Sequence, residues 1–273
     1  MTAAVSFRHG QRRVPIGIKD LKETRKKVEY IDALEQQTIY YIREARIRYR
    51  SPALLWGGGK DATALLWMAR KAFPGGIPFP VMMIDTDHFG DEVIRFREEV
   101  AGRTGITLLS ARNTLALEKG AGPEGGKEEC CRELKSEALA QAAAANGIDA
   151  FLLGIRGDEE GLPLDRVTVF PYGGQSTGEE PLRVHPLLHW TERDIWLYTD
   201  REKIPVAPLY FARKGKRYRN FCCEPCVTQV ASRASTVKAI IKELDRQAAA
   251  GPGSGADSED AYTIAKLKSL GYM

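Results

Sequence analysis

No apolar run in the chain is long enough to cross a bilayer. The opening residues, MTAAVSFRHGQRRVP, have no apolar core of the kind a secretory signal carries. The expectation is a cytoplasmic protein with no membrane association. Charge of a single sign is missing too, since 40 Lys and Arg stand against 36 Asp and Glu for a formal net charge of +4. That balance argues against a dedicated nucleic-acid binder and still permits an anionic substrate. No internal repeat is present. A length of 273 residues suits one large α/β domain or a domain with a tail.

Against these absences stands Leu54-Leu55-Trp56-Gly57-Gly58-Gly59-Lys60-Asp61-Ala62-Thr63. Pro52 to Trp56 is short, apolar and bounded by turn residues, which predicts a buried strand. Ala62 to Phe73 puts Leu65, Leu66, Ala69 and Phe73 on one helical face. The glycines between them let the backbone close on a ligand and open N–H groups at a helix N-terminus, where phosphate is favoured. Lys60 adds a point charge, and Asp61 a carboxylate able to hold a metal ion or position water. The turn reads as a nucleotide phosphate site. A Walker A loop is rejected, because Asp61 follows Lys60 where Ser or Thr is needed and Leu54 holds the earlier glycine position. The strict dinucleotide fingerprint fails at Ala62, although its relaxed form fits.

Strand and helix patterns alternate from there. Ile18 to Tyr49 is charged and helical in period, with Ile31, Leu34, Ile42, Ala45 and Tyr49 on one face. Pro80 to Asp85 is the second strand, Asp91 to Thr104 a helix, and Ile106 to Ser110 the third strand. Asn113 to Lys127 is glycine-rich and reads as a mobile loop, Cys131 to Asn146 as an alanine-rich helix, and Ala150 to Gly154 as the fourth strand. Short strands are expected at Val167 to Pro171 and Arg183 to Leu187, and helices at Thr191 to Arg201 and Ser235 to Ala249. The fold class is α/β, a doubly wound and mostly parallel sheet with helices on both faces, followed by an irregular C-terminal region. Residues 1–26 read as an N-terminal arm, 27–249 as the main domain, and 250–273 as a flexible linker with a terminal helix.

Four segments form a series: the glycine loop, Asp85-Thr86-Asp87-His88, Gly154-Ile155-Arg156-Gly157-Asp158-Glu159-Glu160 and Arg183-Val184-His185-Pro186-Leu187. The series resembles the PP-loop ATP pyrophosphatases, and within them the phosphoadenosine phosphosulfate reductase superfamily, whose fold is adenine nucleotide alpha-hydrolase-like. Overall the chain is similar to the catalytic small subunit of bacterial sulfate adenylyltransferase, over RVHPLLHWTERDIWLYTDREKIPVAPLYFA and the closing KLKSLGYM. The resemblance implies cleavage of ATP between its α and β phosphates, passage of AMP to an acceptor, and release of pyrophosphate. It implies Lys60, Asp61 and Arg156 as catalytic residues, with Mg2+ near Asp61. Trp56, Gly57, Gly58, Gly59, Thr63, Asp85, Thr86, Asp87, His88, Gly154 and Asp158 would bind the nucleotide. The loop departs from the family pattern Ser-Gly-Gly-x-Asp-Ser, because Gly57 and Ala62 occupy the two serine positions. Thr63 is the nearest replacement for the second, displaced by one residue.

The chain has five cysteines. Cys130 and Cys131 are adjacent, and Cys222, Cys223 and Cys226 follow much later in FCCEPCVT. Clustered thiols in a reducing compartment suit a soft metal centre. The pattern resembles the [4Fe–4S] site of adenosine phosphosulfate reductases, with Cys130, Cys131, Cys223 and Cys226 matching as ligands and Cys222 left over. Zinc on the same four sulfurs is the alternative. Sulfonucleotide reduction is disfavoured, because those enzymes use a further cysteine in a C-terminal Glu-Cys-Gly segment and no cysteine follows Cys226.

The basic run Arg213 to Arg219, with Tyr218 inside it, is a solvated loop or a surface for a nucleic-acid backbone. Three readings follow. The first is an ATP pyrophosphatase that activates a nucleic acid for sulfur insertion, similar to the one in DNA phosphorothioation systems. Its partners would be a cysteine desulfurase and DNA-modification subunits, and its substrate DNA or tRNA. The second is a sulfate adenylyltransferase subunit with a GTPase large subunit as partner. The third is a non-catalytic assembly subunit. The first is placed ahead of the second. The oligomeric state stays open, a homodimer being one option.

Overall fold

In a computed structural model, residues 18–159, 167–171, 180–220, 223, 226–227 and 229–249 are described. Five short strands build the main sheet: β1 (Pro52–Leu55), β2 (Val81–Ile84), β3 (Leu108–Ala111), β4 (Ala150–Leu152) and β5 (Leu182–Val184). Their order is β3-β2-β1-β4-β5, and every neighbouring pair is parallel. β1 lies at the centre, Leu54 pairing with Val81 on one side and Leu152 on the other.

The strands read as continuous apolar runs because both sheet faces are covered. Alternate residues go to opposite faces. Leu54, Val81, Ala150 and Leu152 join the larger core, while Ala53, Met82, Phe151 and Leu153 join the smaller one. The larger core takes apolar side chains from α1 (Ile18–Arg48), α2 (Lys60–Ala72) and α3 (Asp91–Thr104). It also takes them from α7 (Glu192–Glu202) and α8 (Val237–Ala249). Leu65, Leu66, Trp190 and Trp196 are buried at its centre. Each such side chain contributes about 1.5–3 kcal/mol on leaving water. The expected doubly wound sheet is thus present.

Several expected elements are corrected. Asn113 to Lys127 is not a bare loop. Asn113 Oδ1 accepts the Ala116 N–H at 3.1 Å and starts α4 (Thr114–Glu118). A 3₁₀ turn follows at Pro123–Gly125. The alanine-rich helix begins earlier and is interrupted: α5 (Lys127–Cys131) passes through a π-helical stretch, Arg132–Glu137, into α6 (Ala138–Asn146). Val167 to Pro171 forms no strand, although Val169 O accepts the His185 N–H at 2.9 Å. The region after α7 holds a hairpin the sequence did not suggest, β6 (Lys216–Tyr218) antiparallel to β7 (Gln229–Ala231). Most of the expected N-terminal arm and all of 250–273 lie outside the described residues.

The start of α7 is set by a reciprocal cap. Thr191 Oγ1 accepts the Asp194 N–H at 3.2 Å, and Asp194 Oδ2 accepts the Thr191 N–H at 3.0 Å. Thr191→Ala removes half of that exchange and lowers unfolding free energy by about 1 kcal/mol, read from the urea midpoint at constant slope.

Candidate active site

The strand order reverses between β1 and β4, and the turns leaving these two strands open onto one crevice. On the β1 side, Gly58 takes a φ of +87°, which an L side chain resists. Arg97 Nε donates to Gly57 O at 2.7 Å and holds the turn from the side of α3. From below, Trp56 Nε1 donates to Thr63 Oγ1 at 3.0 Å, and that hydroxyl donates to Gly59 O at 2.7 Å. Both side chains are fully buried. Trp56 and Thr63 thus secure the turn from within. On the β4 side, a Cβ at Gly154 would lie 2.7 Å from the Ala62 amide nitrogen. Glycine there lets the end of β4 approach the first turn of α2.

That approach brings opposite charges together. Arg156 Nη1 donates to Asp61 Oδ1, while Lys60 Nζ lies 3.2 Å from Asp61 Oδ2. Arg156 Nε also donates to Asp158 Oδ1 at 2.8 Å, and its backbone N–H to Glu159 Oε1 at 3.0 Å. Asp158 Oδ2 accepts the Glu192 N–H at 2.7 Å, a favourable place for a carboxylate at the N-terminus of α7. Glu192 is buried, 3.8 Å from Lys60 Nζ, and accepts from Arg219 Nε at 2.7 Å. Lys60 Nζ donates in addition to Arg219 O at 3.1 Å and to Asn220 Oδ1. Its backbone N–H donates to the Tyr210 hydroxyl at 2.8 Å. Burial opposes the charge on Asp61, yet Arg156 and Lys60 hold its carboxyl below the usual range. Burial likewise opposes the charge on Glu192, and Lys60, Arg219 and Arg156 overcome it.

The turn after β2 is reached from the loop through Arg97, which bonds Gly57 O and lines a cavity there. Arg112 Nη1 donates to Asp85 Oδ2 at 2.9 Å and to Asp87 Oδ1 at 3.1 Å. Asp85 and Asp87 line a cavity of about 280 Å³ together with Met83, Phe89, Arg97 and Leu108. Thr86 and His88 are absent from its lining. Thr86 is buried with Oγ1 3.1 Å from Cys223 Sγ, and the His88 ring sits beside Gly122.

Residues 51–229, from the start of β1 to the start of β7, match the phosphoadenosine phosphosulfate reductase domain. The chain belongs to that family. Among its relatives, sulfate adenylyltransferase subunit 2 of Myxococcus xanthus is 32% identical over 268 residues, covering 80% of this chain and 88% of the relative. The protein of the same name from Alkalilimnicola ehrlichii is 33% identical over 295 residues, covering 89% and 94%. Two solved structures show the same fold. Phosphoadenylyl-sulfate reductase from Candida auris, in a phosphate complex, superposes with a TM-score of 0.51 at 21% identity, covering 66% of this chain and 89% of that one. FMN adenylyltransferase from Candida glabrata, in complex with ATP, gives 0.51 at 18% identity, covering 70% and 63%.

The four cysteines expected as metal ligands lie among the described residues. Cys130, Cys131 and Cys223 are buried, Cys226 is half-buried, and none of the four forms a disulfide. Cys130 packs with Ala116 and Leu134, whereas Cys223 contacts Thr86. Among the described residues, no group of three or more His, Cys, Asp or Glu side chains is arranged to hold a metal ion. Cys222 lies outside them.

Sequence reasoning missed Arg97, Glu192, Tyr210 and Asn220. Glu192 lay in the helix-start signal Thr191-Glu192-Arg193-Asp194, but nothing local shows that its carboxylate turns toward a lysine. The basic run was visible and its role was not. Arg213 pairs with Glu92, Arg217 with Glu243 and Arg219 with Glu192, so all three arginines bind acids of the same molecule.

A carboxyl whose pKa is depressed by folding stabilises fully above its unfolded value and loses that contribution as pH falls through the folded value. Glu192 starts from an ordinary value of 4.5 and is lowered. The unfolding free energy should therefore decline below that pH. Glu192→Gln should flatten the decline, measured as urea midpoints between about pH 3 and 7. An acid slope equal to the wild type would show that Glu192 is not held charged by its neighbours.

Proposed function

We propose that the chain is an adenylyl-transferring ATP pyrophosphatase of sulfur metabolism whose acceptor is sulfate. The observation that carries the reading is the shared carboxylate of Asp61, which draws Lys60 and Arg156 to one point between the β1 and β4 turns. The β and γ phosphates lie over Gly57 to Lys60, and adenosine occupies the cavity walled by Met83, Phe89 and Leu108 near Asp85. The incoming phosphates replace Asp61 and Asn220 as partners of Lys60, and Arg156 turns to the α-phosphate. A sulfate oxygen attacks the α-phosphorus, the bond to the bridging α–β oxygen breaks, and pyrophosphate leaves with that oxygen. Lys60 stabilises the charge that grows on the leaving group, and the guanidinium of Arg156 grips the α-phosphate oxygens.

Around the loop stand four cationic side chains, Lys60, Arg97, Arg156 and Arg219, and four carboxylates, Asp61, Asp158, Glu159 and Glu192. A polyphosphate entering this balanced site needs a companion cation, and Asp61 is the carboxylate placed to hold Mg2+. Bound there, Mg2+ would neutralise phosphate charge.

Sulfate is placed ahead of nucleic acid, reversing the sequence-based order. Relatives named sulfate adenylyltransferase subunit 2 run nearly the full length of the chain. The arginines expected to meet a nucleic-acid backbone bind internal acids instead. The numbered subunit in the relatives' name supports a partner chain, for which a GTPase large subunit is the expectation. One observation favours the second reading, sulfur insertion with a cysteine desulfurase: the Cys223 thiol meets Thr86 at the turn after β2, beside the nucleotide crevice. Iron and sulfide analysis of anaerobically purified protein tests it.

Exchange of labelled pyrophosphate into ATP, with sulfate, DNA or tRNA added separately, separates the acceptors. Sulfate alone should stimulate exchange. Lys60→Ala and Arg156→Ala should each reduce it by about a hundredfold or more while the protein stays folded. Stimulation by DNA or tRNA alone would overturn the acceptor, and full exchange in both variants would overturn the site.

A further inference from the structure

The glycine loop lacks both hydroxyls of its family pattern, yet a different hydroxyl reaches it. Tyr210 ends a 3₁₀ turn, Pro208–Tyr210, in which its N–H donates to Ala207 O at 3.1 Å. Its ring stands edge-on to Trp196 with centroids 5.4 Å apart, which fixes the phenol against α7. The hydroxyl accepts the Lys60 N–H, the first amide of α2, at 2.8 Å. A Cβ built on Gly59 would lie 3.9 Å from the same oxygen, so the hydroxyl stands beside the loop backbone. The Lys60 ammonium lies 5.7 Å from the ring centroid. Thr63, the nearer hydroxyl in sequence, is occupied by Gly59 O and Trp56. Beside Gly57, the position of the first family serine, an added Cβ would stand 3.5 Å from Arg97 Nη2.

We infer that Tyr210 supplies this chain with the phosphate-binding hydroxyl that Gly57 and Ala62 do not. The inference rests on the reading of the loop as the ATP phosphate site and extends it to a residue 150 positions away in the chain. The hydroxyl oxygen holds the Lys60 amide, and on ATP entry the hydroxyl exchanges its ligand-free contacts to donate its proton to a β- or γ-phosphate oxygen, which makes Tyr210 a phosphate-contacting residue. Burial and the neighbouring Asp61 charge push the phenol well above its ordinary pKa, so it keeps the proton it donates. Tyr210 and the Lys60 side chain are both covered in the ligand-free arrangement, Lys60 by Arg219 O and Asn220 Oδ1. Entry of the phosphates moves those two residues aside.

The test compares wild type, Tyr210→Phe, Ala62→Ser and the double variant, following ATP binding and pyrophosphate exchange, with thermal melts as the folding control. Tyr210→Phe should lower kcat/KM for ATP by about tenfold to a hundredfold, the value of one hydrogen bond to a charged group. Ala62→Ser should restore most of that loss, because it returns a hydroxyl to the family position without rebuilding the Lys60 amide cap. An equal loss from Tyr210→Phe with Ala or Ser at position 62 would reduce Tyr210 to a structural support and overturn the inference. No loss in either background would overturn it as well. A wild type that binds no ATP would instead overturn the phosphate site itself.

Discussion

Asp61 gives one carboxylate oxygen to Arg156 and the other to Lys60, and the crevice is organised around that division. The two cations come from opposite sides of the strand-order reversal, Lys60 from the turn after β1 and Arg156 from the turn after β4. They can share a carboxylate because Gly154 has no Cβ to hold the end of β4 away from Ala62. Buried ion pairs add little net stability, but removing one partner strands a charge at about 3–5 kcal/mol. The arrangement is therefore suited to exchange of partners: a phosphate that replaces the carboxylate leaves no cation unpaired.

The shell around this pair determines which exchange is possible. Glu192 and Asn220 hold Lys60 from the C-terminal half, and Tyr210 holds its amide. Asp158 links Arg156 to the start of α7, so the helix and the turn after β4 share one carboxylate. Through these contacts the region after β5 completes a site whose loop lies in the first quarter of the chain. The hairpin of β6 and β7 belongs to the same system, because Arg219 and Asn220 directly follow β6. The pairing of Arg213 with Glu92 and of Arg217 with Glu243 ties the hairpin to α3 and α8.

Much of this frame was legible because it is local. PALL, VMMI and AFL are apolar runs between turn residues, and they became β1, β2 and β4 near their expected bounds. The glycine loop, Lys60, Asp61 and Arg156 were legible from residue type and position next to strands. Elements that depend on distant contacts were not. KRY and QVA carry no apolar alternation, and their pairing comes from the hairpin alone. The glycines of Asn113 to Lys127 hid a helix that starts from one Asn cap. Tyr210 and Glu192 meet Lys60 from well over a hundred residues away, which periodicity cannot register. The partners of Thr63, Trp56 Nε1 and Gly59 O, are visible only in the folded turn.

Replacement of protein carboxylate and amide groups by ATP phosphates at Lys60 and Arg156 is open to direct observation in an experimental structure with Mg2+ and an ATP analogue whose α–β bridge cannot be cleaved. The triphosphate should lie over Gly57 to Lys60, with Lys60 Nζ on the β or γ phosphate, Arg156 on the α-phosphate, and Asn220 displaced. A nucleotide bound elsewhere, with Lys60 still held by Asn220 and Arg219, would show that no such replacement occurs.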